Sequence, residues 1–153
     1  MSSECLFAAP TTGCVIMMEE VNDPVFSQKM MGDGFAIIPQ GNVVCSPISG
    51  EIVMLYPTFH AIGIKDAKGN EILLHLGLQS YSLKGNGLHS TLTIGQSVTV
   101  GEPLLMYELP VFQSKGIDPT LIIIFLNGQT VQLSEMHTQV ECGQLLRLQV
   151  TYE

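Results

Sequence analysis

Residues 58–87, TFHAIGIKDAKGNEILLHLGLQSYSLKGNG, carry the pattern that sets the fold. Two runs rich in Ile, Leu and Phe, 59–64 and 72–78, flank the turn-forming Asp66-Ala67-Lys68-Gly69. Short apolar runs on either side of such a turn mark an antiparallel hairpin. One histidine stands on each arm: His60 lies seven residues before Ala67, and His75 lies seven after Lys68. An even-numbered loop centred there sets the two imidazoles directly opposite each other, where Cβ atoms are only ~5 Å apart. A three-residue loop ending in a Gly69 bulge instead shifts the register by one and turns the rings to opposite faces, unless a second bulge restores the pairing. Thr58, two residues from His60, shares its strand face, so its hydroxyl reaches toward the ring edge. Gly63 and Gly77 keep the surroundings open. Two juxtaposed imidazoles beside a hydroxyl suit a small anion, a metal, or covalent chemistry at a ring nitrogen. A histidine on a hydrophobic strand can also be purely structural, and the mirrored placement of this pair is what favours the chemical reading.

Outward from the hairpin, the chain repeats itself. Residues 9–18 read APTTGCVIMM and residues 46–55 read SPISGEIVML, so a Pro-x-x-Gly-x-hydrophobic unit returns 37 residues later. Residues 98–104, VTVGEPL, are echoed by 140–146, VECGQLL, each an alternating strand stopped by a Gly turn. Two copies of each unit point to an internally duplicated β-structure rather than a solenoid. Similar phrases occur in biotinyl and lipoyl carrier domains, where a lysine in a hairpin turn carries the cofactor, but no lysine stands in the equivalent turn here. Short strands are expected at 35–39, 43–46, 92–94, 97–100, 104–109, 121–125, 131–133 and 145–151, spaced as in a sandwich or barrel. Asp23 as N-cap with Pro24 at the first helical position gives one short helix over 23–30, and 111–115 forms a helical turn. No segment sustains a 3.6-residue apolar period. The expected fold is all-β: an antiparallel β-sandwich or barrel with duplicated, hammerhead-like motifs and only short helical turns.

A length of 153 residues suits one domain, 1–153, with its core at about 7–151. Charged residues are 13% against 46% hydrophobic, which is a globular composition. The net charge of −8 argues against nucleic acid and favours basic partners or plain solubility. The longest apolar run, 121–126, is far short of the ~20 residues that span a bilayer, and the N-terminus lacks a signal core. Cys5, Cys14, Cys45 and Cys142 lack metal or disulfide spacing and read as reduced, mostly buried thiols. Most of the eight methionines read as core filler. His89 and His137 read as surface histidines.

The hairpin resembles the phosphoryl-accepting site of the glucose-type enzyme IIA domain of the bacterial sugar phosphotransferase system. That family's pattern runs T-x-H, then a second His fifteen residues on in hydrophobic-H-hydrophobic-G-hydrophobic-D-T, then L-K-G-x-G. Thr58, His60, His75, Gly77, Leu83, Lys84, Gly85 and Gly87 match it, and NDPVFSQKMMGDGFAIIP at 22–39 extends the match. The family's Asp-Thr is replaced by Gln79-Ser80, which removes a carboxylate beside the site.

The resemblance implies a cytoplasmic phosphocarrier that takes a phosphoryl group from the phosphohistidine of HPr and passes it to a IIB cysteine, with the membrane IIC domain involved only indirectly. His75 is the implied nucleophile. His60 stabilises the phosphoryl group, Thr58 orients His60, and backbone N–H groups near Gly77 add donors. Val25, Phe26, Tyr56 and Gln79 form the implied partner surface. The chemistry needs no cofactor and no metal, and no Walker-type loop is present. A non-catalytic interaction module of the same fold and a zinc-dependent hydrolase using His60 and His75 are the competing readings.

Overall fold

A computed structural model describes residues 2–151, with side chains from Leu6 onward. The described residues form fourteen strands: β1 Ser2–Ala8, β2 Gly13–Met17, β3 Asp33–Pro39, β4 Val43–Cys45, β5 Gly50–Leu55, β6 Ala61–Lys65, β7 Glu71–Leu76, β8 Leu88–His89, β9 Ser97–Val98, β10 Pro103–Tyr107, β11 Leu121–Phe125, β12 Thr130–Leu133, β13 Gln139–Val140 and β14 Leu145–Thr151. Helix is limited to α1, Pro24–Ser27, and α2, Leu109–Ser114, with 3-10 turns at Met18–Glu20 and Ser80–Leu83. None of these helices is long and apolar enough to cross a membrane.

One eight-stranded sheet, ordered β13-β2-β3-β11-β7-β6-β5-β9, is joined by two three-stranded sheets, β1-β14-β12 and β4-β10-β8. Every pairing is antiparallel. The sheets stack as a sandwich, and no closed barrel forms among the described residues.

Side-chain alternation decides which residues face which layer. In β7, Ile72, Leu74 and Leu76 join Leu121, Ile123 and Phe125 of β11 in the main buried cluster. Phe7, Val44, Leu104, Tyr107, Leu146, Leu148 and Val150 of the two smaller sheets complete that cluster. The intervening residues point the other way. Leu73, Ile122, Ile124, Ala36 and Ala61 form a second apolar layer, closed by Met18, Val21 and Phe26 from the segment around α1. His75 belongs to this second face, in register with Ile122 on one side and Ala61 on the other.

The repeated phrases fold as two copies of one unit. Gly13 of β2 pairs with Val140 of β13, and Gly50 of β5 pairs with Val98 of β9. The loop bonds match as well: Ala9 N–H donates to Gln144 O and Ser46 N–H to Glu102 O, each at 2.8 Å. Gly143 and Gly101 return N–H bonds to Ala9 O and Ser46 O. Both glycines sit at positive φ, +87° and +86°, a conformation that glycine adopts at little cost.

Several sequence expectations need correction. Residues 92–94 are not a strand. The Leu92 N–H is capped by Ser90 Oγ at 3.1 Å, and the chain turns at Gly95, whose N–H bonds Ile52 O at 2.8 Å. Met18 is fully buried, but Met17, Met30, Met31 and Met106 are exposed, so methionine is not mainly core filler. Cys45 is buried, whereas Cys14 and Cys142 are only half-buried; the Cys5 side chain lies outside the described residues. Asp23 does cap α1, accepting from Val25 N–H at 3.0 Å.

Candidate functional site

The histidine hairpin closes differently from the even-loop alternative. Its loop, 66–70, has five residues. Asp66 Oδ1 accepts the N–H groups of Lys68 and Asn70, each at 2.9 Å, and Gly69 takes a φ of +88°. The odd loop shifts the register, so His75 pairs with Ala61 rather than His60. His60 therefore lies just outside β6, in the connection from β5. Thr58 is in that connection too, and the two do not share a strand face. The connection is a tight turn in which Phe59 N–H donates to Tyr56 O at 2.8 Å and Tyr56 N–H to Ala61 O at 3.1 Å. Phe59 adopts a left-handed φ of +63°, which is uncommon for a bulky residue and swings His60 back toward the sheet. The opposite-face outcome of an odd register is thereby avoided, and the His60 O accepts the Leu76 N–H at 2.8 Å to lock the return.

The rings meet edge to face. The His60 and His75 centroids are 5.4 Å apart with planes at 78°. His75 Nδ1 lies 2.9 Å from Gly77 O. A carbonyl only accepts, so Nδ1 carries the proton and Nε2 holds the lone pair. Gly77 is held at a φ of +87°, and a Cβ there would stand 2.9 Å from Ser80 Cβ and 3.0 Å from Phe112 Cε2. No other residue can therefore deliver that carbonyl without displacing its neighbours. His60 Nδ1 lies 2.5 Å from Thr58 Oγ1. His60 is 5% exposed, and its ring lies edge-on to Tyr56, with centroids 4.9 Å apart.

Burial pushes His75 well below the ordinary imidazole range, to about 4. The neighbouring His60 deepens the shift, while the Gly77 carbonyl and the Asp23 carboxylate oppose it. Burial lowers His60 as well. Both rings are thus neutral near pH 7, and a neutral imidazole is a nitrogen nucleophile.

Of the remaining expected residues, Val25, Tyr56 and Gln79 are exposed around this face, with Gln79 at a left-handed φ of +58°. Phe26 is only 7% exposed and packs its ring 5.3 Å from that of His75, so it braces the site from beneath. Two of the backbone N–H groups near Gly77 are already committed: Gly77 N–H bonds Thr120 O at 2.8 Å and Leu78 N–H bonds Asp118 O at 2.9 Å. It is the carbonyl of Gly77 that serves the site. Met30, Met31 and Tyr81 add exposed apolar surface. Asp23 is the residue whose influence on His75 sequence reasoning missed, because its position before Pro24 had been explained by capping alone. Among the described residues no group of three or more His, Cys, Asp and Glu comes together to hold a metal ion, so the zinc-hydrolase reading finds no third ligand.

Comparison with known proteins gives the family. Residues 6–131 match the family described as "phosphoenolpyruvate-dependent sugar phosphotransferase system, EIIA 1". A glucose-specific EIIA component of Bacillus cereus is 44% identical over 131 residues, 86% of this chain and 79% of that one. A glucosamine-specific EIICBA component of Bacillus subtilis is 42% identical over 88% of this chain, which spans 21% of that longer protein. The solved glucose permease IIA of Mycoplasma capricolum superposes with a TM-score of 0.87 at 38% identity, covering 95% of this chain and 96% of that one. The chain thus belongs to the EIIA 1 family, the phosphohistidine-carrying components of the phosphoenolpyruvate-dependent sugar phosphotransferase system.

Proposed function

We propose that His75 is the phosphoryl-carrying residue, that phospho-HPr is its donor, and that a IIB cysteine is its acceptor in the cytoplasm. The observation that carries this reading is the hydrogen bond from His75 Nδ1 to Gly77 O, which commits one nitrogen and leaves Nε2 basic beside a second imidazole. Phosphoryl transfer is mainly positioning plus electrostatic stabilisation. In that step Nε2 attacks phosphorus as the bond to the donor imidazole breaks, and the donor nitrogen recovers the electron pair. Burial of His75 keeps Nε2 unprotonated and ready to attack. With the Thr58 hydroxyl donating to His60 Nδ1, the His60 proton resides on Nε2, where it can be donated to a phosphoryl oxygen.

Val25, Tyr56 and Gln79 form the docking rim, with Phe26 fixing the His75 ring behind it. The whole chain acts as one domain. EIICBA relatives, including those from Bacillus subtilis and Streptococcus pneumoniae, carry A, B and C components in one polypeptide, which supports a IIB partner and a link to membrane IIC. Relatives described as glucose-, glucosamine- and glucoside-specific share this domain at similar identity, so the sugar is chosen elsewhere. The test is incubation with phosphoenolpyruvate, enzyme I and HPr. One acid-labile phosphate mapped to His75 supports the assignment, and phosphate on any other residue refutes it.

A further inference from the structure

Cys45 and Cys142, 97 residues apart in the chain, bring their sulfurs to 3.1 Å. Cys45 ends β4, and Cys142 lies in the turn between β13 and β14. The approach is fixed by backbone on both sides. Cys45 N–H donates to Pro10 O at 2.7 Å, Cys142 N–H donates to Thr12 Oγ1 at 2.9 Å, and Gly143 N–H donates to Ala9 O at 2.9 Å. Both cysteines are thus tied to the single segment 9–12. This is the seam of the duplication: Ala8 N–H donates to Pro47 O at 2.9 Å as the counterpart of the Cys45 bond to Pro10. Cys142 belongs to the turn of one unit, and Cys45 leads into the other.

We propose that Cys45 and Cys142 are a thiol-modification site that closes into an internal disulfide by exchange with a low-molecular-weight disulfide. The sulfur-to-sulfur hydrogen bond lowers the Cys142 thiol and, together with burial, raises that of Cys45. The partly exposed Cys142 is therefore the thiolate that an outside reagent meets, and the buried Cys45 is the resolving thiol. In the first step the Cys142 thiolate attacks one sulfur of the small disulfide. Its S–S bond breaks, and one small thiolate leaves and takes a proton from water. In the second, Cys45 loses its proton to water and attacks Cys142 Sγ, expelling the other small thiolate. Two protein thiols are oxidised and one small disulfide is reduced to two thiols. The closed loop contains β5 to β13 and hence both site histidines, yet neither cysteine is on the histidine hairpin: Cys45 is in a small separate sheet and Cys142 in a turn. The proposal is therefore independent of the phosphoryl reading.

The test uses the full chain with Cys5→Ser and Cys14→Ser, incubated with oxidised glutathione. The expected product is a monomer lighter by two hydrogens, with both remaining thiols lost and the peptides containing Cys45 and Cys142 linked. Closing a loop of this length raises the melting temperature by about 10 °C, and dithiothreitol reverses the rise. Adding Cys45→Ala traps one stable glutathione adduct on Cys142, whereas adding Cys142→Ala slows adduct formation at least tenfold. The inference is overturned if both thiols survive incubation, if glutathione stays on Cys142 while Cys45 is present, or if the disulfide joins two chains. Thiol count and peptide linkage in the two-cysteine protein decide the matter even if Cys45→Ala fails to fold.

Discussion

The four histidines fall into two pairs that commit opposite nitrogens. On the outer surface, His89 Nε2 meets Glu108 Oε2 at 2.8 Å and His137 Nε2 meets Glu20 Oε1 at 2.5 Å, with both rings more than half exposed. On the sheet face, His60 and His75 engage through Nδ1, and their partners are an uncharged hydroxyl and an uncharged carbonyl. The outer rings each meet a carboxylate, while the inner rings have each other, and His60 disfavours charge on His75. Residue type alone is therefore uninformative. Burial, and the nitrogen that the fold spends on support, separate the inner pair from the surface histidines.

The sharpest way to break this comparison is substitution. His75→Gln abolishes acceptance of phosphate, because glutamine has no nucleophilic ring nitrogen, whereas His89→Gln and His137→Gln change the rate less than about twofold. Acid-labile phosphate counted after incubation with the donor chain decides it. Next in size, His60→Gln still accepts phosphate, but its onward transfer to a IIB domain slows by roughly 10²–10³-fold, the usual cost of one lost charge-stabilising donor. Equal losses in both half-reactions would end the division of labour between the two rings.

A third prediction concerns pH. A group whose pKa is lowered in the folded state binds fewer protons there than in the unfolded chain. For His75 this holds between its unfolded value near 6.5 and about 4. Stability is therefore full above that window and falls as pH drops through it, by at most about 3 kcal/mol. Urea unfolding of the native protein and of His75→Gln at pH 7 and pH 4.5 isolates the contribution, since the variant loses that part of the slope. The smallest effect is at the rim. Gln79→Asp adds a carboxylate to an exposed position, and it speeds phosphorylation by basic HPr a few-fold at low salt, with the gain vanishing at high salt. An unchanged low-salt rate places Gln79 outside the docking surface.

Much of the fold was legible because side-chain period and burial agree. The stretch 121–125 and the alternating 145–151 are strands at the expected bounds, and the duplicated glycines pair as their repetition implied. The site was legible as chemistry but not as geometry. The motif identified Thr58, His60 and His75, yet the pairing depends on the number of residues in the 66–70 loop, which Asp66 sets through side-chain hydrogen bonds that a turn signal does not specify. A left-handed Phe59 then brings His60 back, and nothing in the identity of that residue announces it. Asp23 was hidden for a different reason: its local job as a helix cap accounted for it fully, and its action on His75 arises only in three dimensions.

The placement of the two rings also divides them mechanically. His75 stands on β7, which is hydrogen-bonded on both sides by β6 and β11, whereas His60 stands in a turn between β5 and β6. Backbone amides inside a doubly paired strand exchange with solvent only through large-scale opening, while those of a turn exchange through local fluctuation. Hydrogen exchange is accordingly expected to show slow amides across β7 and faster ones at Thr58 and Phe59. The imidazole proposed to bear the phosphoryl group is thus on a doubly paired strand, and the ring proposed to answer its charge is on a turn. On the proposed relay, a carrier that receives from one protein and gives to another keeps its reacting atom on the paired strand and leaves adjustment to the stabilising ring.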